Sequence, residues 1–338
     1  MKQQLQMLCA INGVSGREHA VRRYILEQLD GFNTQKTVTV DPLGNVLVDL
    51  KGENRADKRL MFAAHMDEVG LIITHIEDNG TLKFATVGGI DEKALFGTRV
   101  QVGDTVGVIG GKAIHQCSGD EKKTVPSISK MCIDIGAKDK AQAEQTVSVG
   151  DVVTFCADWT TLGDYKVKAK ALDDRAGCMI LLDVLKESDY AGDITCVFTV
   201  QEEVGLRGAK IAARRVNPDM AIILDTTTAN DMGMVDSHKQ VTRCGDGPAL
   251  TFMDRRAIIP QKMRKLATDA AAKRGIPVQL KCGNSGGTDA GEIHLNGAGV
   301  ECLVIVIPCR YCHSGVSVCK LSDIDNAGKL AMAVLEEV

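Results

Sequence analysis

Apolar and polar positions divide the chain into three stretches with different periodicities. In the first stretch, apolar residues recur at the spacing of one helix face, namely at Val21, Tyr24, Ile25 and Leu29. The preceding Ser15-Gly16-Arg17-Glu18 matches a capping box, in which serine and glutamate cap the first helical turn. A strand over 46–50 and an apolar run over 60–64 follow. This stretch therefore predicts helix followed by strands.

Between residues 69 and 165 the chain changes to short runs of β-type residues that are separated by glycines. Segment 98–104 is typical of the short strands and tight turns of a small barrel or sandwich. Only one short helix is expected here, around 138–144. We therefore predict an inserted all-β domain over 69–165.

From residue 166 onward, predicted strands alternate with predicted helices. The helices are expected over 174–186, 206–215, 260–274 and 323–337, and the strands over 194–200, 220–224 and 302–307. Such alternation is typical of helices that cover a mostly parallel or mixed sheet. We therefore predict one α/β domain from residues 1–68 and 166–338, interrupted by the β domain.

Composition and charge indicate an ordinary globular protein. The 338 residues are 44% hydrophobic and 25% charged, and the net charge of -4 gives no indication of a nucleic-acid partner. No apolar run reaches the roughly 18 residues of a membrane-spanning helix. The polar N-terminus lacks the apolar stretch of a signal peptide, so we expect a cytoplasmic protein without membrane association.

The twelve cysteines are scattered, and most lie in apolar runs, as Cys178, Cys196 and Cys302 do. They are therefore expected to be small buried hydrophobic residues. Cys309-Arg310-Tyr311-Cys312-His313 also matches a haem-attachment pattern, and its two cysteines match a redox pair. Haem attachment normally accompanies export, and Pro308 with Ser314-Gly315 predicts a loop rather than the helix start of a redox motif. Another role for His313 is therefore favoured.

Five predicted strands, one of them in the segment 166–172, are each followed by residues that can bind metal ions. These residues are His65 and Asp67, Asp173 and Asp174, Glu202 and Glu203, Asp225, and His313. In open α/β sheets, sites form beyond the carboxyl ends of the strands. Each residue alone has a simpler explanation: a helix cap for the Asp-Asp pair, a solvated turn for the Glu-Glu pair, a turn or a hydrogen-bonded histidine for the others. Their recurrence at five strand ends favours one shared site.

Two imidazoles and three carboxylates are what a pair of divalent cations needs, with one carboxylate bridging the cations. Such a pair polarises a carbonyl group and lowers the pKa of a water held between the two ions. In a Glu-Glu doublet, one side chain can bind metal while its neighbour serves as a base. Asp67 could accept the second N–H of the His65 imidazole and so orient the ring.

These motifs resemble those of the tetrahedral, or TET-type, aminopeptidases, metallopeptidase family forty-two, a group that includes glutamyl and deblocking aminopeptidases and members named cellulase or endoglucanase. The matching segments are Ala64-His65-Met66-Asp67-Glu68-Val69-Gly70, Ala171-Leu172-Asp173-Asp174-Arg175-Ala176-Gly177, Gln201-Glu202-Glu203-Val204-Gly205-Leu206-Arg207-Gly208, Asn284-Ser285-Gly286-Gly287-Thr288-Asp289-Ala290-Gly291 and Ile307-Pro308-Cys309-Arg310-Tyr311-Cys312-His313-Ser314. They follow the family's order and span nearly the whole chain.

The resemblance implies a role for each of these residues. It assigns His65 and Asp225 to one metal ion and Glu203 and His313 to the other, with Asp173 as the bridge. It makes Glu202 the base that activates the water and then the acid that protonates the leaving amine, and Asp67 the residue that orients His65. It also implies a cis peptide bond between Asp173 and Asp174. Substrate-binding roles fall to Arg255, Gly286, Gly287, Thr288 and Asp289.

Three departures from the family pattern concern the substrate side. Gly315 and Ser317 stand where the family usually has proline and an acidic residue, and Arg256 replaces its usual serine. The preferred N-terminal residue therefore stays open among acidic, Leu-like and Lys-like.

As a whole, the resemblance implies an aminopeptidase that acts on peptides with two divalent ions, zinc or cobalt, or manganese. It also implies a homo-oligomer, built from dimers through the β domain and reaching a dodecamer. The alternatives are another two-metal exopeptidase (a dipeptidase or carboxypeptidase), a glycosidase, and an inactive metal-bearing scaffold. The 4% aromatic content, with one tryptophan, disfavours a sugar site, and the intact Glu202 disfavours an inactive scaffold.

Overall fold

The computed structural model describes residues 2–32, 36–52, 58–156, 158–187, 190, 192–284 and 286–338, so Ser285 of the substrate-side motif lies outside the described residues. The helices are α1 Lys2–Ala10, α2 His19–Asp30, α3 Lys140–Ala143, α4 Leu172–Glu187, α5 Arg207–Val216, α6 Gln261–Arg274, α7 Ala290–Ile293 and α8 Leu321–Leu335. The strands are β1 Lys36–Val40, β2 Val46–Leu50, β3 Leu60–His65, β4 Gly70–Ile76, β5 Leu82–Val87, β6 Arg99–Val102, β7 Thr105–Gly111, β8 Met131–Asp134, β9 Val152–Phe155, β10 Thr160–Leu162, β11 Lys166–Ala169, β12 Ile194–Thr199, β13 Met220–Thr228, β14 Ala249–Thr251, β15 Gln279–Lys281, β16 Glu301–Arg310 and β17 Ser317–Lys320.

The main sheet is mixed, with a parallel centre. Its strand order is β1-β2-β12-β3-β13-β16-β17-β11-β10, and β14 and β15 branch from β16. Strands β12, β3, β13 and β16 are parallel neighbours, whereas β17 is antiparallel to both β16 and β11. Strands β12, β3, β13, β16 and β11 therefore run in one direction. Their carboxyl ends share one edge of the sheet.

The inserted β segment forms a closed barrel with the strand order β4-β5-β8-β7-β6-β9. A closed barrel has no unpaired edge strand, which suits segments this short. Its core is a separate cluster that includes Leu71, Val100 and Ile133. The α/β fold with an inserted barrel is therefore confirmed. The exact boundaries 69–165 stay a prediction, and the barrel strands lie inside them.

The larger core lies on both sides of the main sheet. Central strands such as β3 are buried along their whole length, and the buried face of α4 includes Ile180, Leu181 and Val184. Cys178, Cys196 and Cys302 are buried free thiols, as their apolar surroundings predict. Among the described residues, no helix combines the length and apolarity needed to cross a bilayer.

Two local predictions are wrong. Ser15 and Glu18 do not form a capping box, because the Ser15 hydroxyl donates to Asp67 Oδ2 (2.6 Å) and Glu18 Oε1 accepts from the Gly16 N–H (2.7 Å). A loop was expected from Pro308, but β16 continues to Arg310. It does so because Cys309 and Arg310 pair with β17.

Candidate metal centre

The predicted ligands come together at the shared carboxyl edge of the sheet. His65 is the last residue of β3, Asp225 lies in β13, and Glu203 follows β12. Asp173 lies at the start of α4, after β11, and His313 follows β16. The peptide bond between Asp173 and Asp174 is cis, as the resemblance implies.

Asp173 lies between the two imidazoles. Its Oδ1 is 3.3 Å from His65 Nε2, and its Oδ2 is 3.5 Å from His313 Nε2. His65 Nε2 is also 3.7 Å from Asp225 Oδ1, and His313 Nε2 is 3.5 Å from Glu203 Oε2. One carboxylate thus faces two separate histidine-carboxylate pairs.

These contacts define groups whose ligand atoms all lie within 4.8 Å of one another. The groups are His65 with Asp173 and Asp225, Asp173 with Glu203 and His313, and His65 with Glu202 and Glu203. Imidazole nitrogens with carboxylate oxygens suit Zn, Co or Mn. The donor set therefore fits divalent cations, and Asp173 belongs to the first two groups.

Asp67 connects His65 to the Glu-Glu doublet. His65 Nδ1 lies 3.1 Å from the Asp67 carbonyl oxygen and 3.5 Å from its Oδ1, so the backbone oxygen is the nearer partner. The Asp67 carboxylate accepts the backbone N–H of Glu202 (2.9 Å) and of Glu203 (3.1 Å). It thereby holds the segment that carries both glutamates.

A second carboxylate, which the sequence did not single out for this role, holds the same segment. Glu18 is buried, and its Oε1 accepts the backbone N–H of Gln201 (3.1 Å) as well as that of Gly16. Gln201 has a left-handed φ of 55°. Three consecutive N–H groups, from Gln201 to Glu203, therefore point at the carboxylates of Glu18 and Asp67.

Burial and crowding shift the pKa values of these groups. Burial raises the pKa of Glu202 well above its usual value and that of Glu203 to about 8. Burial alone would lower the pKa of His313, but Asp173 and Glu203 raise it to about 10. Burial alone would also lower the pKa of His65, but the neighbouring aspartates Asp173, Asp225 and Asp67 raise it well above its usual value. Such perturbed groups in one cleft are typical of functional sites.

A cavity of about 470 Å³ opens onto this cluster. Arg255, Gly286 and Gly287, which the sequence predicts to bind substrate, line it. Thr288 and Asp289 are buried and are not among its lining residues. Asp289 accepts a hydrogen bond from the Thr199 hydroxyl (2.5 Å), and burial raises its pKa to about 7.

Arg256, which the sequence analysis places on the substrate side, also lines the cavity. Other lining residues were missed by the sequence reasoning, among them Lys281, Thr226, Thr227, Thr228, Gly89 and Cys312. Lysine is rarely buried, so nothing in the sequence marks Lys281 as internal. Burial lowers its pKa, against the charges of Asp254 and Asp225. Cys312 and Cys309 are free thiols, and Cys312 donates to the Cys309 carbonyl (3.3 Å).

Close to His65 lies a buried cluster of charged side chains, formed by Glu68, Lys170 and Arg175. Glu68 accepts hydrogen bonds from Lys170 Nζ (2.8 Å) and from the backbone N–H of Gly13 (2.9 Å), and its Oε1 lies 3.5 Å from Arg175 Nη2. Arg175 also donates to the Met66 carbonyl (2.9 Å). The cluster therefore ties the segment after β3 to the start of α4.

Comparison with known proteins agrees with this fold and identifies the family. The sequence profile of the M42 glutamyl aminopeptidases matches residues 44–330. A relative from Acetivibrio thermocellus, named provisionally as an aminopeptidase, is 41% identical over 332 residues, which cover 98% of this chain and 97% of the relative.

Solved structures agree over the same length. A TET aminopeptidase from the marine sediment archaeon Thaumarchaeota archaeon SCGC AB-539-E09 superposes with a TM-score of 0.95 at 35% identity, over 100% of this chain and 96% of that one. The TET1 peptidase of Pyrococcus horikoshii, described as able to assemble into a tetrahedron or a large octahedral shell, gives a TM-score of 0.88 at 33% identity, over 100% and 99%. The chain is a peptidase and belongs to the M42 glutamyl aminopeptidase family.

Proposed function

We propose that this peptidase is a two-metal aminopeptidase that removes N-terminal residues from peptides. The observation that carries the proposal is the position of Asp173, whose two oxygens lie 3.3 and 3.5 Å from the two imidazoles. A carboxylate shared between two histidine-carboxylate pairs is the arrangement that a pair of divalent ions requires.

In this proposal each ion has its own histidine and carboxylate. His65 and Asp225 would hold one ion, His313 and Glu203 would hold the other, and Asp173 would be shared between them. When bound, the ions would polarise the scissile carbonyl and make a water molecule more acidic. Zinc and cobalt suit these ligands best, and manganese is the next choice.

Glu202 is the proposed proton carrier. It is buried, it lies three residues after the end of β12, and it shares a group of closely spaced ligand atoms with His65 and Glu203. Its carboxylate would accept a proton from the attacking water and then donate that proton to the leaving amine. Asp67 would fix its position, since it accepts the backbone N–H of Glu202.

The substrate would enter through the cavity lined by Arg255, Gly286 and Gly287. Two glycines in the lining let a peptide backbone come close to the wall. Thr288 and Asp289 would support the lining from behind, and Asp289 is held in place by the hydrogen bond that it accepts from the Thr199 hydroxyl. Because the cavity opens onto the candidate metal centre, the N-terminal amine of the peptide would reach the cluster of carboxylates at the edge of the sheet.

We further propose that the chain forms a homo-oligomer through its barrel. Apolar side chains are exposed there, including Val106, Ile114 and Val149. Exposed apolar groups of this kind often mark contacts between protein chains. The tetrahedral or octahedral assembly described for the Pyrococcus horikoshii relative favours a shell of many copies, and the family resemblance implies that dimers build it. Light scattering on the purified protein tests this, and a monomer would contradict it. The cytoplasmic location stays a prediction.

The test of activity is a panel of aminoacyl-anilides assayed after chelation and after readdition of single metals. We expect activity to disappear on chelation and to return with zinc, cobalt or manganese. Free and N-acetylated peptides are compared in parallel, because an aminopeptidase needs a free amine whereas a carboxypeptidase does not. Full activity after chelation, or equal cleavage of acetylated peptides, would refute the proposal.

A further inference from the structure

A surface groove extends outward from Gly205, beside the proposed proton carrier. Gly205 lines the cavity at the candidate metal centre and also a second cavity of about 570 Å³. Its backbone N–H donates to the Glu202 carbonyl (2.9 Å), and a Cβ at this exposed glycine would meet nothing within 4 Å. Pro42 and Leu43 line the second cavity and also a third, of about 250 Å³. The second and third cavities therefore form one outer groove that begins at the metal centre.

The proposed chemistry determines which part of a substrate would lie in the outer groove. Glu202 is the proposed donor of a proton to the leaving amine, which is the first nitrogen of the peptide that remains after cleavage. That remaining peptide would therefore begin beside Glu202, where Gly205 opens the groove. A glycine lets a peptide backbone pass close to the wall. Beyond it, Leu43 and Ile211 offer apolar surface to the side chains of the peptide.

The charges that lack an ion-pair partner in the outer groove are positive. Arg207 lines the second cavity, and Arg17, His19 and Arg22 line the third. The three guanidinium groups donate to neutral oxygens of the protein at 3.2–3.4 Å. Within the described part of the chain, none of the three forms an ion pair. They are therefore available to an anionic group of a ligand.

The acidic residues of the outer groove already have partners. Asp41 is buried, and its carboxylate accepts the backbone N–H groups of residues 43–45. Glu18 is buried as well and accepts two backbone N–H groups. Glu292 is paired with Lys210 (3.3 Å) and with an arginine of the metal-side cavity (2.8 Å). A carboxylate that enters the groove would therefore meet the unpaired guanidinium groups.

We propose that the outer groove binds the part of a peptide that lies downstream of the scissile bond, and that Arg17, Arg22 and Arg207 select acidic side chains in it. This inference rests on the proposed aminopeptidase function, and it concerns the leaving peptide rather than the residue that is released. Guanidinium groups suit carboxylates because they can donate two parallel hydrogen bonds. Contacts this exposed contribute modestly and are screened by salt. They lie away from the reacting atoms, so they should change KM and leave kcat nearly constant.

The test compares peptides that differ only downstream, with the cobalt-loaded or zinc-loaded protein. Each peptide begins with the residue whose anilide is cleaved fastest, continues with Ala-Glu-Glu-Ala, Ala-Ala-Ala-Ala or Ala-Lys-Lys-Ala, and is amidated at its C-terminus. We expect KM for the Glu peptide to be about 3- to 10-fold lower than for the Lys peptide, with similar kcat. The difference should shrink in about 0.5 M salt, where charges are screened within a few ångströms.

A double variant, Arg17→Gln with Arg207→Gln, tests the two most exposed of the three arginines. Its KM for the Glu peptide should rise by about 3- to 10-fold, so that most of the preference disappears. The readout is the ratio of kcat/KM for the Glu peptide to kcat/KM for the anilide, which has no downstream residues. Arg214→Gln with Arg215→Gln is the charge-matched control, because both are exposed at the end of α5 and neither lines the groove.

Five outcomes would overturn the inference. Equal KM values for the Glu and Lys peptides would refute the downstream preference while the aminopeptidase function stands. A preference that survives the double variant, or that the control also loses, would show that these arginines do not cause it. A preference seen only with a free C-terminus would assign them to that carboxylate. An equal loss on anilide and peptides would give them a purely structural role. If neither anilides nor peptides are cleaved with any metal, the proposed function itself fails.

Discussion

The imidazole of His313 contacts the carbonyl oxygen of Gly89, with Nδ1 2.7 Å from the oxygen. Gly89 follows barrel strand β5, whereas His313 follows β16 of the main sheet. A carbonyl oxygen only accepts, so Nδ1 carries the proton and Nε2 is left to face Asp173 and Glu203. Such a partner fixes the orientation of a metal-binding histidine. The barrel therefore helps to build the candidate site.

Replacing the neighbouring Gly88 tests this connection. Gly88 has φ +86°, and a Cβ there would lie 2.8 Å from Val69 Cγ1 and 3.3 Å from Glu203 Cβ. Gly88→Ala should therefore displace Glu203 and the Gly89 carbonyl. We expect metal affinity or kcat/KM to fall by about 10- to 100-fold. Metal titration followed by calorimetry, with anilide kinetics alongside, gives both quantities.

Gly97→Ala is the matched control for this variant. Gly97 lies in the same barrel and has φ +80°, but a Cβ there would meet nothing within 4 Å. Both variants therefore carry a similar backbone strain of about 1–2 kcal/mol. Only Gly88→Ala should change metal affinity or turnover. Equal behaviour of the two variants would show that the barrel does not position the site.

The sequence predicts the site ligands more completely than their surroundings. His65, Glu203 and Asp225 follow or end apolar runs, and parallel strands bring their carboxyl ends to one edge, so local pattern and sheet geometry suffice. Gly89 and Lys281 could not be found this way. The contact of Gly89 depends on barrel closure and on a residue 224 positions away. The burial of Lys281 contradicts the usual behaviour of lysine.

Ser15 illustrates how a tertiary contact overrides a local motif. Its sequence context favours a helix cap, but its hydroxyl donates to Asp67, 52 residues away. The carboxylate of Asp67 is fully buried and needs donors, so it takes the hydroxyl that a local cap would use. The buried carboxylate of Glu18 likewise needs donors, so it accepts the backbone N–H of Gln201 instead of completing a capping box.

Glu202→Gln tests the proposed proton carrier. Glutamine has nearly the same shape but cannot accept the proton, so we expect kcat to fall about 10²- to 10⁴-fold. The proposed metal ligands are unchanged, so bound metal measured by atomic emission should stay at the level of the unmodified protein. Glu144→Gln, an exposed acid near the barrel helix α3, should have no effect on either quantity. Substantial turnover in Glu202→Gln would exclude the assigned role.

Asp173→Ala tests the proposed bridge. Since Asp173 faces both imidazoles, its loss should weaken both metal positions and not only one. We expect the variant to retain little metal, and added zinc should no longer raise its melting temperature by mass action. Asp183→Ala, further along the same helix α4, should behave like the unmodified protein. Two ions per chain in Asp173→Ala would rule out bridging.

Glu68→Gln tests the charge cluster beneath the site. The substitution leaves the buried Lys170 without its carboxylate partner at 2.8 Å, and breaking such a buried pair costs about 3–5 kcal/mol of unfolding free energy. Asp269→Asn, which removes an exposed pair with Lys265, should cost about 0.5 kcal/mol or less. Urea unfolding at constant metal concentration measures both.

The cost of Glu68→Gln should also depend on pH. Burial lowers the pKa of Lys170 below its ordinary value of 10.5, and Glu68 opposes that shift. Without Glu68 the folded protein holds this proton less tightly than the unfolded chain does, so stability should rise with pH. The destabilisation should therefore shrink between the lowered pKa of Lys170 and 10.5. A cost that is the same at pH 7 and pH 10 would show that Lys170 does not cause it.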